Sequence, residues 1–203
     1  MPNTKQCEHV SREDVVKVIL SGIQKAHEDY CRMSGGLWMW NGPEYWITTY
    51  VAKELWKLYG DGFVVAEANS DEMRDVEEDP GRTPVQNMRF DIALYFPKEI
   101  PHAVIEIKNQ QQKKNLRGDV ERVLTALNEH NLCFGALAYY HSAKNGSRKS
   151  AAKIISDYAS GLSKESESLA LAADRKCSAE SKTCIFVEGN GAWLAGCILL
   201  EHK

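Results

Sequence analysis

Apolar and polar residues alternate with a period of two along residues 89–109, which predicts two strands joined by a short turn bounded by prolines. Three charged side chains interrupt the apolar pattern: Asp91 on the first strand, and Glu106 and Lys108 on the second. If residues 97–100 form a four-residue loop, Asp91 lies directly opposite Glu106 on one face of the sheet. Because like charges at that position destabilise an antiparallel pair, the pattern indicates a cation between them.

Helical periodicity and turn signals divide the remaining chain into further elements. Four segments are predicted to be helices: 11–30, 43–59, 119–128 and 149–162. Four more are predicted to be strands: 63–68, 133–140, 184–187 and 192–200, while 163–182 is either helical or loose. This order predicts an α/β fold of the α+β type, with a mixed β-sheet core flanked by helices. Three strands form a meander, and a crossover helix leads to a fourth strand beside them.

The length of 203 residues and a hydrophobic content of 43% suit one domain with a sizeable core. We expect a single domain over 1–203, with 1–42 as an N-terminal helical extension and 163–203 as a C-terminal helix and hairpin region. The N-terminus lacks the apolar stretch of a signal peptide, and the longest apolar run near the end is too short to cross a bilayer. A cytoplasmic protein without a membrane partner is therefore expected.

The net charge of −3 gives no general attraction to nucleic acid, but the charges are unevenly distributed. Residues 69–80 carry six acids and one base, and without them 24 basic residues face 22 acidic ones. Local patches therefore matter more than the total charge. The six cysteines are widely spaced and form no CxxC pair, so neither a disulfide framework nor a zinc site is indicated.

Two carboxylates and a lysine on one sheet face suit metal-assisted hydrolysis. Mg²⁺ takes oxygen ligands, usually one or two carboxylates together with substrate phosphate. A bound metal lowers the pKa of its water and stabilises charge on the phosphoryl group. Lys108 is then placed to orient the attacking water or to neutralise developing charge. The alternative is a structural cluster of ion pairs on a partly exposed sheet face.

Asp91 followed by Glu106-Ile107-Lys108 on the next strand resembles the PD-(D/E)xK nuclease superfamily, which has the restriction-endonuclease-like fold. The resemblance covers roughly residues 43–140. It implies that Asp91 and Glu106 bind Mg²⁺, with Mn²⁺ able to substitute, and that the carbonyl of Ile107 is a further ligand. It also implies that Lys108 is the catalytic lysine. Some members add a glutamate from the preceding helix, and Glu44 stands at that position, where it could alternatively interact with the helix dipole.

The resemblance implies a metal-dependent nuclease that hydrolyses phosphodiester bonds, with DNA favoured over RNA as partner. It does not distinguish an endonuclease from an exonuclease, and a homodimer is possible. The proline that often precedes the aspartate is Phe90 here. Two alternatives stay open: a catalytically silent module of the same fold that binds nucleic acid or protein, and an interaction protein with a coincidental motif.

Polar and basic residues after the motif strand are candidate nucleic-acid contacts, with a solvated loop as the alternative. They are Gln110, Lys113, Lys114, Arg117 and Arg122.

Two further features have alternative interpretations. Asp119 is expected to cap its helix and pair with Arg122 at i+3. The tryptophans Trp38, Trp40 and Trp46 could stack on unpaired bases, but packing in the core or an interface is the favoured interpretation.

Overall fold

The computed structural model describes residues 10–60, 62–69, 88–97, 100–110, 113–173 and 176–202. Residues 1–9 of the predicted N-terminal extension, most of the acidic segment 69–80, and residues 98–99 of the predicted turn lie outside these residues. The described helices are α1 (Arg12–Met33), α2 (Glu44–Tyr59), α3 (Lys113–Glu129) and α4 (Ala151–Ala173), with a short 3-10 helix at Met39–Asn41. The described strands are β1 (Phe63–Asn69), β2 (Arg89–Phe96), β3 (Ile100–Asn109), β4 (Phe134–Lys144), β5 (Cys177–Glu188) and β6 (Gly191–His202).

The six strands form one mixed sheet in the order β1-β2-β3-β4-β6-β5. Strands β3 and β4 run parallel, and the other four neighbouring pairs are antiparallel. A parallel pair needs a crossover connection, and α3 supplies it between β3 and β4. The meander, the crossover helix and the mixed sheet confirm the predicted α/β fold class.

Helices cover both faces of this sheet. On one face α1 and α2 share a buried cluster with the sheet that includes Ile19, Val51 and Ile105 of β3. On the other face α3 packs on β3 and β4, α4 packs on β4, β5 and β6, and Val104 of β3 lies in the shared core. Strand β3 is therefore buried on both sides, as expected for a central strand with a parallel neighbour.

Three elements are much longer than predicted. Helix α3 begins at Lys113 rather than at 119, and α4 continues to Ala173 rather than ending at 162. Strand β5 begins at Cys177, inside the stretch predicted to be helical or loose, rather than at 184. Residues 163–173 are mostly polar, but one face of this part of α4 points inward, and Ser166 and Ala170 on it are fully buried. Tertiary packing of that face decides the helix more than local propensity does.

The turn between β2 and β3 is one residue shorter than predicted. Phe96 pairs with Ile100 and Tyr95 pairs with Pro101, so residues 97–99 form the connection. The prediction of a four-residue loop at 97–100 was therefore wrong. A turn this short shifts every pair beyond it by one residue, which would move Asp91 to the wrong face unless something compensates.

A β-bulge in β3 supplies the compensation. The register shifts between Leu94 and Tyr95, and His102 is the extra residue on the β3 side. Beyond the bulge Ala93 pairs with Val104, as predicted. Continuing that register by two residues sets Asp91 opposite Glu106. The predicted juxtaposition of the two carboxylates thus holds, although the prediction misplaced the turn.

Candidate active site

The ammonium group of Lys108 lies among three carboxylates at the end of β3. Its Nζ atom is 3.4 Å from Oε2 of Glu106, 3.6 Å from Oε1 of Glu44 and 3.9 Å from Oδ2 of Asp91. The carboxylates come from α2, β2 and β3. The structure therefore brings together all four side chains that the sequence singled out for catalysis.

Asp91 is held by the backbone of the neighbouring strand. Its Oδ2 atom accepts a hydrogen bond of 2.7 Å from the N–H of Ile107. The backbone pairing of β2 with β3 ends at Ile92 and Ile105, so the Asp91 carboxylate accepts the hydrogen bond of the Ile107 N–H beyond the end of this ladder. This bond fixes the orientation of the Asp91 side chain on the face that carries Glu106.

Glu106 is the most buried acid of the group, with 3% of its surface exposed. Its Oε1 atom lies 2.9 Å from Nε of Arg122, in an ion pair whose N–H is not aligned for a hydrogen bond. The same guanidinium donates from Nη2 to Oδ1 of Asp119 at 2.9 Å, which confirms the predicted i+3 pair. The prediction that Asp119 caps the helix was wrong, because α3 begins at Lys113 and Asp119 lies inside it. Arg122 thus bridges a helix carboxylate and the buried strand carboxylate.

Burial controls the protonation of this cluster. It raises the pKa of Glu106 from its ordinary value of 4.5 to about 7, against the opposing effect of Arg122, and the nearby charge of Asp91 raises it further. Burial alone lowers the pKa of Lys108, but the carboxylates of Glu106, Glu44 and Asp91 outweigh it and the pKa is raised. Lys108 is therefore a cation that serves as the counter-ion of the acids.

Glu44 reaches the site from the first turn of α2. Its Oε2 atom accepts a 2.8 Å hydrogen bond from the N–H of Asn109, the last residue of β3. The side chain of Asn109 in turn donates from Nδ2 to the carbonyls of Met39, at 3.1 Å, and Gly42, at 2.7 Å. Asn109 therefore ties the loop before α2 to the motif strand, a role the sequence analysis missed.

Replacing Asn109 with alanine should destabilise the protein by about 1–3 kcal/mol, since two carbonyls lose their donor in a half-buried setting. Urea denaturation measures the change. The matched control is Asn128→Ala, because Asn128 is exposed on α3. Equal stability of the two variants would show that the Asn109 amide does not hold the loop.

The donor set fits a hard divalent cation. Asp91 and Glu106 offer carboxylate oxygens, although Oε1 of Glu106 already lies 2.9 Å from Nε of Arg122. No group of three or more His, Cys, Asp or Glu side chains gathers as a ready metal site among the described residues. Glu44, Asp91 and Glu106 instead surround the Lys108 ammonium, so a metal ion can bind them only if the ammonium moves away. The role of the Ile107 carbonyl stays a prediction.

The predicted nucleic-acid contacts divide into two groups. The side chain of Gln110 already has a partner within the protein, because its Nε2 donates to Oγ of Ser142 at 2.7 Å. Arg122 likewise forms ion pairs with Glu106 and Asp119. Lys114 and Arg117 are exposed at the start of α3. The side chain of Lys113 lies outside the described residues.

The three tryptophans near the site also differ. Trp46 is half-buried and donates from Nε1 to the carbonyl of Ala26 at 3.0 Å, as the packing interpretation expects. Trp38 is half-buried beside His27. Trp40 is not core, since 48% of its surface is exposed.

Comparisons of this chain with protein-family models, curated proteins and solved structures found no match. None of the described helices has both the length and the apolar character needed to cross a bilayer. The chemistry of the site is therefore interpreted from its own residues.

Proposed function

We propose that the protein is a metal-dependent nuclease that hydrolyses phosphodiester bonds, with DNA as the favoured substrate. One observation carries the proposal. Three carboxylates from three different elements lie within 4 Å of the Lys108 ammonium at the end of the motif strand. Oxygen donors beside a fixed cation are what metal-assisted phosphodiester hydrolysis uses to hold the metal and to stabilise charge on the phosphate.

The energetics of Glu106 support a functional cluster over a structural one. Its raised pKa means that ionising this carboxyl inside the folded protein costs free energy near neutral pH. A surface ion pair would give Lys108 a partner without that cost. Sites that perform chemistry commonly retain such unfavourable groups, because the reaction needs the charge.

Asp91 and Glu106 would hold Mg²⁺ or Mn²⁺, with Glu44 and the carbonyl of Ile107 as further oxygen donors. When bound, the metal supplies charge stabilisation at the phosphate and lowers the pKa of its water. Lys108 orients the attacking water and neutralises the negative charge that develops on the phosphate. Arg122 and the N–H of Ile107 hold the two acids in place.

The test is cleavage of plasmid and single-stranded DNA in Mg²⁺, in Mn²⁺ and in EDTA. We expect cleavage with either metal, none in EDTA, and a loss of at least about 100-fold in Asp91→Asn, which keeps the shape of the side chain but removes a ligand charge. Asp157→Asn on the exposed side of α4 is the matched control and should behave like wild type. Equal rates for wild type and Asp91→Asn would contradict the proposal.

A catalytically silent binding module is the second candidate. The observation that favours it is that Lys108 and Arg122 already give Glu106 two cationic partners. Nucleic-acid binding that persists in EDTA, with no cleavage in any divalent metal, would support this candidate against the nuclease.

A further inference from the structure

A cleft of about 470 Å³ opens between the loop that follows α1 and the turn that joins β5 to β6. Its volume lies in the range typical of small-ligand sites. Its near wall and rim are lined by Leu37, Trp38, Trp40, Asn41, Lys144 and Asn190. Glu188 and Gly191 of the β5–β6 turn complete the far wall.

The inner wall of the cleft is rigid and aromatic. The ring of Trp38 covers Gly191 so closely that a Cβ atom there would lie 2.2 Å from Cη2 of the ring. Its edge contacts His27, with ring centroids 6.0 Å apart, and His27 stacks on Trp193 at 4.1 Å. Trp193 donates to Glu188 at 2.9 Å, so the turn on the far side is anchored to the same cluster.

The rim carries apolar surface that the core does not use. Trp40 is 48% exposed and Leu37 is 52% exposed, directly beside the Trp38 wall. The remaining lining groups are polar: the exposed amides of Asn41 and Asn190, the exposed ammonium of Lys144, and the carboxylate of Glu188, which accepts a hydrogen bond from Trp193. A flat aromatic ligand with hydrogen-bonding edges complements the apolar surface and the amides, and the Lys144 ammonium can contact a neighbouring phosphate.

The cleft is coupled to the candidate active site through one residue. Asn109, which follows Lys108, donates to the carbonyls of Met39 and Gly42 on either side of Trp40. Its N–H holds Glu44. The loop that presents Trp40 is therefore anchored to the motif strand beside the candidate active site.

We propose that this cleft binds an unpaired nucleobase of the substrate, stacked on Trp40 and Trp38, with Lys144 at an adjacent phosphate. The identity of the ligand rests on the proposed nuclease function. Bases inside a duplex are stacked on each other and offer no free face, so the site selects single-stranded nucleic acid or unpaired nucleotides beside the scissile bond.

The test measures binding in EDTA, where no cleavage occurs, by fluorescence anisotropy. The probes are a labelled single-stranded DNA, the same sequence as a duplex, and a chain of abasic nucleotides of equal length. We expect wild type to prefer the single strand, and Trp40→Ala to weaken that binding about 5- to 100-fold while leaving abasic and duplex binding nearly unchanged.

Two further variants control for folding and for loss of any exposed tryptophan. Trp40→Phe keeps a stacking face and should retain most of the affinity. Trp56→Ala removes a tryptophan that is 62% exposed on α2 and lines no part of the cleft, and it should bind like wild type. Equal losses in Trp40→Ala and Trp56→Ala would overturn the proposal, as would an equal loss for the abasic chain.

The two proposals fail in distinguishable ways. Mg²⁺-dependent cleavage that Asp91→Asn abolishes, together with no effect of Trp40→Ala on single-strand binding, would overturn the base site and leave the nuclease standing. Trp40-dependent binding without cleavage in any metal would overturn the nuclease and keep the cleft as the base site of a binding module. Wild type that binds none of the probes would overturn the base site, and a protein segment would then be the better occupant.

Discussion

Replacing Lys108 with methionine is expected to lower metal-dependent cleavage by about 10²- to 10⁴-fold, which is the range for removing a positioned proton-transfer or charge-stabilising group. Methionine retains the length of the side chain but cannot donate a hydrogen bond or carry charge. Single-turnover rates on DNA measure the effect. Lys182→Met is the matched control, because Lys182 is exposed on β5 and should leave the rate unchanged.

The same substitution should affect metal binding in the opposite direction. In the metal-free protein Lys108 is the cation within 4 Å of Glu44, Asp91 and Glu106. Removing it leaves these acids without that counter-ion, so Mn²⁺ should bind Lys108→Met more tightly than wild type in calorimetry. Unchanged affinity together with unchanged cleavage would mean that the lysine is only a structural partner.

The central hairpin shows how far local patterns can predict this site. The alternation of apolar and charged residues correctly assigned Asp91 and Glu106 to neighbouring strands and to one face. It could not reveal the bulge at His102, because an extra residue that restores the register leaves no mark on the hydrophobic pattern beyond it. The juxtaposition was predicted because two deviations, a shorter turn and a bulge, cancel.

Contacts between distant elements were harder to predict than the strands. Arg122 was predicted as a nucleic-acid contact and a partner of Asp119, and it also lies beside Glu106 because α3 packs on β3. Asn109 was predicted only as the last residue of the motif strand, and its amide ties the loop before α2 to β3. Both partnerships depend on how helices dock on the sheet, which periodicity within one element does not specify.

The separation of Trp40 from the other tryptophans has the same origin. All three lie in one aromatic loop and helix start, where composition favours packing for each of them. Trp46 finds a backbone acceptor on α1 and Trp38 finds Gly191 on β6. Trp40 lies between them on the short 3-10 helix, where nearly half of its surface remains exposed.

Replacing Glu106 with glutamine should abolish cleavage and yet stabilise the metal-free protein at pH 8 by about 1–3 kcal/mol. The folded-state pKa of Glu106 is about 7, against an ordinary value of 4.5. Between these values the folded state binds more protons than the unfolded state, so stability falls as pH rises, by up to about 1.4 kcal/mol for each pKa unit of difference. Above pH 7 the full cost of the buried charge is present, and glutamine avoids it.

Denaturation in EDTA at pH 4.5 and at pH 8 checks this prediction. The gap between Glu106→Gln and wild type should be small at pH 4.5, where the folded carboxyl is already neutral, should open between pH 4.5 and 7, and should stay constant above that range. Glu180→Gln, at an exposed carboxylate on β5, should show no such gap. A variant that is less stable than wild type by the same amount at both pH values would contradict the prediction. It would identify Glu106 as a structural partner of Arg122, because breaking a buried ion pair leaves the guanidinium without its partner and lowers stability.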